Sequence, residues 1–135
     1  MTTPKKPSFI YARGRRKTAV ARVRLFKKPG ETLVNNLPIA KYFPGVIAQK
    51  VYQEPLIICN VLDKYYATIK VVGSGKYGQI DAVVHGLSRA LTIANPDFRP
   101  LLKKRGLLTR DPRTRQRRMI GMGGKSRRQK QSPKR

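Results

Sequence analysis

The feature that most constrains this chain is where its charge lies. Residues 1–28 hold ten Lys and Arg and no acid, residues 29–100 hold seven basic and five acidic residues, and residues 101–135 hold fourteen basic residues against Asp111 alone. A nearly neutral body thus carries two strongly basic ends, and the 135-residue chain has a formal net charge of +25. Self-repulsion at this density opposes compaction, so the working state of such a chain includes a polyanion. Apolar residues make up 39% of the chain and are unevenly spread, which allows a small core but not one that uses the whole length.

Several classes fall away at once. No run approaches the ~18 consecutive apolar residues of a membrane-spanning helix. The opening Met1-Thr2-Thr3-Pro4-Lys5-Lys6 lacks the apolar stretch of a secretory signal, so export is not expected. Neither basic end shows the amphipathic helical period of a membrane-surface segment. The single cysteine, Cys59, can form neither an internal disulfide nor a thiolate zinc cluster, and it reads as a small apolar residue in a buried strand.

The body reads as α+β. Ala19 to Phe26 alternates, with Ala19, Ala21, Val23 and Leu25 on one face and Arg22 and Arg24 on the other, which predicts a half-buried strand with a basic outer face. Leu56–Leu62 and Tyr66–Val72 are two further β-rich runs, joined by a connection short enough for a hairpin. A brief run at Leu33-Val34, after Pro29-Gly30, could pair with the first strand. Apolar residues at Ile80, Val83, Val84, Leu87 and Leu91 form one helical stripe, predicting a helix over 79–94 that lies across the sheet. A shorter helix is expected over 97–105, and a helical turn over 39–43. From Gly106 onward the chain loses every period and becomes rich in Arg, Gly, Pro and Ser, so it cannot bury enough apolar surface to order itself alone. It reads as an extension, disordered when free, with a maximum reach of roughly 100 Å. The expected organisation is an N-terminal arm (1–8), a globular body (9–105) and an extended basic tail (106–135).

Two motifs invite enzymatic readings and fail on spacing. Gly73-Ser74-Gly75-Lys76-Tyr77-Gly78 satisfies G-x-G-x-x-G between a strand and a helix. A dinucleotide site also needs a second parallel strand ending in an acid, and Asp97 stands at no strand end. A phosphate-binding P-loop is excluded because Lys70 occupies its first glycine position and Tyr77 its Ser or Thr position. What remains is a tight turn whose amides, with Lys76, can hold a nucleic-acid phosphate. His85 has no nucleophile or metal partner in reach and reads as a helix-face residue paired with Asp81. No cofactor is expected.

The basic ends carry the functional signal. Arg13-Gly14-Arg15-Arg16-Lys17 and Arg113 to Arg118 have no interleaved acids to neutralise them, and arginine suits bidentate phosphate contact and stacking on bases. Long basic tails without a recognition helix or zinc module favour folded RNA over DNA. The candidate RNA-binding residues are Arg13, Arg15, Arg16, Lys17, Arg22, Arg24, Lys76, Arg110, Arg113, Arg115, Arg117, Arg118, Lys125, Arg127, Arg128 and Lys130.

Longer stretches carry a resemblance. Gly75 to Ala82 (GKYGQIDA), continuing through Gly86 to Leu91 (GLSRAL), resembles the signature of the small-subunit ribosomal protein nine family of bacterial and organellar type. So do Gly14 to Val23 (GRRKTAVARV), Leu107 to Asp111 (LLTRD) and the terminal Lys134-Arg135. One position departs from the family pattern: Ser74 stands where a third glycine is usual. The resemblance implies a four-stranded sheet backed by helices, like the second domain of ribosomal protein five, with a long basic C-terminal extension. It implies a non-enzymatic role in the head of the small ribosomal subunit, with small-subunit ribosomal RNA, neighbouring head proteins and peptidyl-site transfer RNA as partners and neither DNA nor a membrane among them. Ser132, Lys134 and Arg135 match the residues that touch transfer RNA in that family. The implied location is the cytoplasmic ribosome of a bacterium, or an organellar ribosome such as that of the plastid stroma.

Overall fold

The computed structural model describes residues 8–121. The expected sites at Lys125, Arg127, Arg128, Lys130, Ser132, Lys134 and Arg135 lie outside these residues, as does nearly all of the N-terminal arm. In chain order the elements are β1 (Ile10–Arg16), β2 (Ala19–Phe26), β3 (Leu33–Val34), β4 (Leu37–Pro38), α1 (Ile39–Tyr42), α2 (Val46–Ile58), β5 (Tyr66–Val72), α3 (Lys76–Ala94) and α4 (Phe98–Lys104). The strands form one sheet in the order β1-β2-β5-β3-β4.

Side-chain alternation decides the two faces of this sheet. Ala12 and Gly14 of β1, Ala19 to Leu25 at alternate positions of β2, and Ala67, Ile69 and Val71 of β5 point inward and are buried. Helix α3 covers that inner face with Ile80, Val83, Val84, Leu87 and Leu91, all buried. The helix lies so close to β1 that a β-carbon on Gly14 would overlap the Ala82 carbonyl and the Gly86 amide. Two facing glycines therefore set the distance between helix and sheet.

The α+β class holds, and the sheet has five strands where four are expected. β1 is hidden in the sequence because its residues are mostly arginine and glycine, with only Ile10, Tyr11 and Ala12 to suggest a strand. Leu56–Leu62 is not a strand. It is the last turn of α2 and its exit, so the expected hairpin with Tyr66–Val72 does not form. The helical period begun at Ala48 and Val51 continues through Tyr52, Pro55 and Leu56, which places one apolar stripe on the core, and this outweighs the β-propensity of the Ile57-Ile58 pair. Asn60 then ends the helix in the left-handed region (φ 53°), with its N–H donating to the Ile57 carbonyl and that of Val61 to Leu56. Cys59 is buried as expected, at a helix end and not in a strand. β3 pairs in parallel with β5 through Leu33–Thr68 and Val34–Ile69, not with the first strand. The Asn35 carboxamide continues that ladder by donating to the Val71 carbonyl (2.9 Å) and accepting its N–H (3.0 Å).

Ser74 has φ 54°, in the left-handed region that favours glycine. The backbone there does call for a glycine-like conformation, and this chain reaches it with serine. Helix α4 closes at Gly106 (φ 76°), whose N–H reaches the Lys103 carbonyl while that of Leu107 reaches Leu102. Leu107 and Leu108 remain packed against the core, so the body holds the first residues of the tail. From Arg110 to Met119 the chain is neither helix nor strand.

Candidate nucleic-acid interface

With α3 on the inner face, the outer faces of β1, β2 and β5 are left to solvent, and strand register decides what they present. Arg13 stands opposite Arg22, and Arg22 opposite Lys70. Three cations thus form a row across three strands, at the ~4.8 Å spacing of neighbouring strands. Like charges directly opposite one another destabilise a sheet. Among the described residues the ion pairs lie elsewhere, joining Arg16 to Asp81 and Asp111, Arg113 to Asp111, and Arg105 to Glu54. The row is therefore held in place without internal neutralisation.

Beside the row, Arg24 stands between Tyr11 and Thr68 in register. Its guanidinium lies 5.2 Å from the centre of the Phe9 ring. Phe26 stacks on Tyr66 with centroids 4.7 Å apart and planes at 8°, and Phe9 tilts against Phe26 at 5.9 Å. The face so carries a cationic tier and an aromatic tier. A concavity of about 630 Å³ opens between these strands and the β3–β4 turn, lined among others by Tyr11, Arg22, Arg24, Asn36 and Lys70.

A second cluster fixes the root of the tail. The Arg16 side chain is only 12% exposed. Its Nε lies 3.4 Å from Asp81 and its Nη2 3.4 Å from Asp111, while Nη1 donates to the Arg113 carbonyl at 2.7 Å. Asp111 also accepts the Arg113 backbone N–H (3.0 Å) and its guanidinium (2.7 Å). These Arg113 contacts hold the Asp111 carboxyl far below the usual carboxylate range. The arrangement clasps the tail to the end of β1.

His85 differs from its expected pairing, because Asp81 turns to Arg16. The imidazole Nδ1 instead accepts the Arg15 backbone N–H at 3.3 Å, and Arg89 donates to the Arg13 carbonyl at 2.8 Å. β1 is the edge of the sheet, so these two α3 side chains satisfy backbone groups that no strand takes. Burial, with the neighbouring Arg89 charge, lowers the His85 pKa below its ordinary value, against a smaller opposing pull from the Leu108 carbonyl. Lys76 is exposed, but its ammonium sits 3.4 Å above the Tyr42 ring and donates to the Tyr42 carbonyl at 3.3 Å, so it faces α1.

A family model described as "Ribosomal protein S9/S16" matches residues 14–135. The chain belongs to that family. It is 48% identical over 114 residues to the small ribosomal subunit protein uS9 of Lawsonia intracellularis, covering 84% of this chain and 88% of that protein. The uS9 of Desulfovibrio desulfuricans is 43% identical with the same coverage. That of Solidesulfovibrio magneticus is 44% identical over 116 residues, 86% of this chain and 89% of the relative. The chain is accordingly a structural ribosomal protein of small-subunit type and not an enzyme. Its bacterial relatives accord with a cytoplasmic ribosomal location.

Within this S9-family fold, Arg13, Arg15, Arg22 and Arg24 converge on the outer sheet face and are exposed. Lys17 is exposed at the β1–β2 turn, and Arg110, Arg113, Arg115, Arg117 and Arg118 are exposed along the described part of the tail. Arg16 is drawn away into the clasp. Lys70 is the residue that sequence reasoning missed. Alternation through Tyr66–Val72 does put it outward, but only the register shows that it extends the Arg13–Arg22 row.

Proposed function

We propose that this S9-family protein lies on small-subunit ribosomal RNA in the subunit head through its outer sheet face, and directs its basic tail toward peptidyl-site transfer RNA. The observation that carries the first half is the Arg13–Arg22–Lys70 row, three aligned cations with no carboxylate partner among the described residues. Phosphates neutralise such a row and release counterions in doing so, which contributes affinity without catalysis. The clasp supports the second half, because it sets where the tail leaves the body. Ser132, Lys134 and Arg135 are the residues assigned to transfer RNA, and neighbouring head proteins complete the partners.

Replacing Arg13, Arg22, Arg24 and Lys70 together by Gln is expected to lower the stoichiometry of the chain in purified small subunits. Full incorporation would overturn the assignment of this face. Deleting Lys134 and Arg135 is expected to leave assembly nearly intact and to speed transfer RNA dissociation from the peptidyl site. An unchanged dissociation rate in filter binding would count against the tail reading.

A further inference from the structure

The outer sheet face offers more than charge, and what it adds selects a form of RNA. Tyr11 is 51% exposed, opposite Arg24, and belongs to none of the stacked ring pairs among the described residues. It lines the concavity of about 630 Å³ together with Arg22, Arg24, Asn36 and Lys70. One trough therefore holds cations suited to phosphate, an open aromatic ring suited to the face of a base, and an exposed carboxamide suited to a base edge.

A paired RNA helix could use the cations and, through the base edges and 2′-hydroxyls of its wide, shallow minor groove, the carboxamide, but it has no base face to offer the Tyr11 ring. Its base faces are stacked inside the helix, and the base edges of its major groove sit in a deep, narrow cleft that a sheet cannot enter. An unpaired strand presents phosphate, base face and base edge together. The trough is also of the size that accommodates a small organic group, about 300–1,000 Å³.

We infer that the outer face of β1, β2 and β5 binds an unpaired segment of RNA, with phosphates on the Arg13–Arg22–Lys70 row and a base against Tyr11 beside Asn36. This rests on the reading above that the partner is ribosomal RNA and specifies the RNA form and the residues that take it. Tyr11 supplies stacking, the cations supply position, and the β3–β4 turn forms the far wall.

The test uses the full chain in small subunits. The chain is first shown to co-purify with those subunits; its absence would overturn the underlying ribosomal reading and the inference with it. Tyr11→p-benzoylphenylalanine is then incorporated, subunits are irradiated, and the cross-linked partner is mapped. Val72, also exposed on this face and lining the trough, takes the same photoreactive group in a second variant. The expected product is a cross-link to a ribosomal RNA base that is reactive to single-strand reagents in subunits lacking the chain and protected in subunits containing it. Tyr11→Leu is expected to remove that protection while the chain stays in the subunit. A cross-link to a paired nucleotide or to a protein, or no cross-link from either position, would overturn the inference while leaving the subunit assignment in place. Because the reactivity comparison needs only the natural chain, finding no unpaired base protected by it would do the same even if both photoreactive variants failed to assemble.

Discussion

Replacing Arg22 by Gln should have opposite effects on stability and on RNA binding. Arg22 is the middle member of the cationic row, with Arg13 opposite on one side and Lys70 on the other. Its removal relieves two like-charge oppositions, each worth roughly 0.2–1 kcal/mol in a sheet. All three side chains are exposed, so solvent screening keeps the total near the lower end, about 0.5–1 kcal/mol. For a body of about a hundred residues this raises the melting temperature by roughly 2–6 °C at low salt. In ~1 M salt, where the Debye length falls to ~3 Å, most of that gain disappears. The same substitution removes one phosphate contact, lowering the slope of log affinity against log salt by about 0.7–0.9. The assay is a pair of thermal melts at low and high salt together with a salt titration of binding to small-subunit ribosomal RNA. Arg22→Lys serves as the charge-conserving control. A variant that melts lower at low salt, or that binds with an unchanged slope, would refute the reasoning that this row is an unneutralised docking surface.

Three further outcomes follow from the packing. Gly14→Ala drives a β-carbon into the backbone of α3, which cannot yield as a side chain would, so a loss of ~3 kcal/mol or more is expected in urea unfolding; an unchanged midpoint would contradict the close approach. Arg16→Met keeps much of the side-chain stem but removes the guanidinium contacts to Asp81, Asp111 and the Arg113 carbonyl, leaving Asp111 with Arg113 alone. It should lower the melting temperature only slightly, because both carboxylates are open to solvent, and speed limited proteolysis between Leu108 and Arg113. Equal cleavage rates would count against the clasp. His85 is harder to protonate in the folded chain than in the unfolded one, because burial and Arg89 disfavour its imidazolium. The unfolded state therefore binds the extra proton first, and stability falls as pH drops below the ordinary histidine value of ~6.5 toward the lower folded value. Melting curves between about pH 7.5 and 5 should show this decline, and His85→Gln should remove part of it; an equally steep decline in the variant would show that another group is responsible.

Much of this protein is written in local sequence. The charge partition, the alternation of Ala19–Phe26 and Tyr66–Val72, and the apolar stripe of α3 each depend on residues within a few positions of one another, so period and composition reveal them. The same locality made Arg22 and Arg24 legible as an outward basic pair. Leu56–Leu62 shows the limit, because a short apolar run has no helical or strand signature of its own. Its state was decided by an apolar stripe that starts at Ala48 and packs on the core.

What only the tertiary structure decided are the relations between distant segments. β1 becomes a strand because Gly14 meets Gly86 and because β2 pairs along its whole length, not because its arginines favour extension. Arg16 and Arg15 are adjacent and chemically alike, yet one is half-buried in a clasp with residues 65 and 95 positions further on and the other is exposed. Lys70 joins Arg13 and Arg22 through register across three strands. Sequence sets which residues can turn outward, since side-chain direction follows from backbone period. Which outward residues become neighbours depends on strand pairing, and that is settled by the burial of the opposite face.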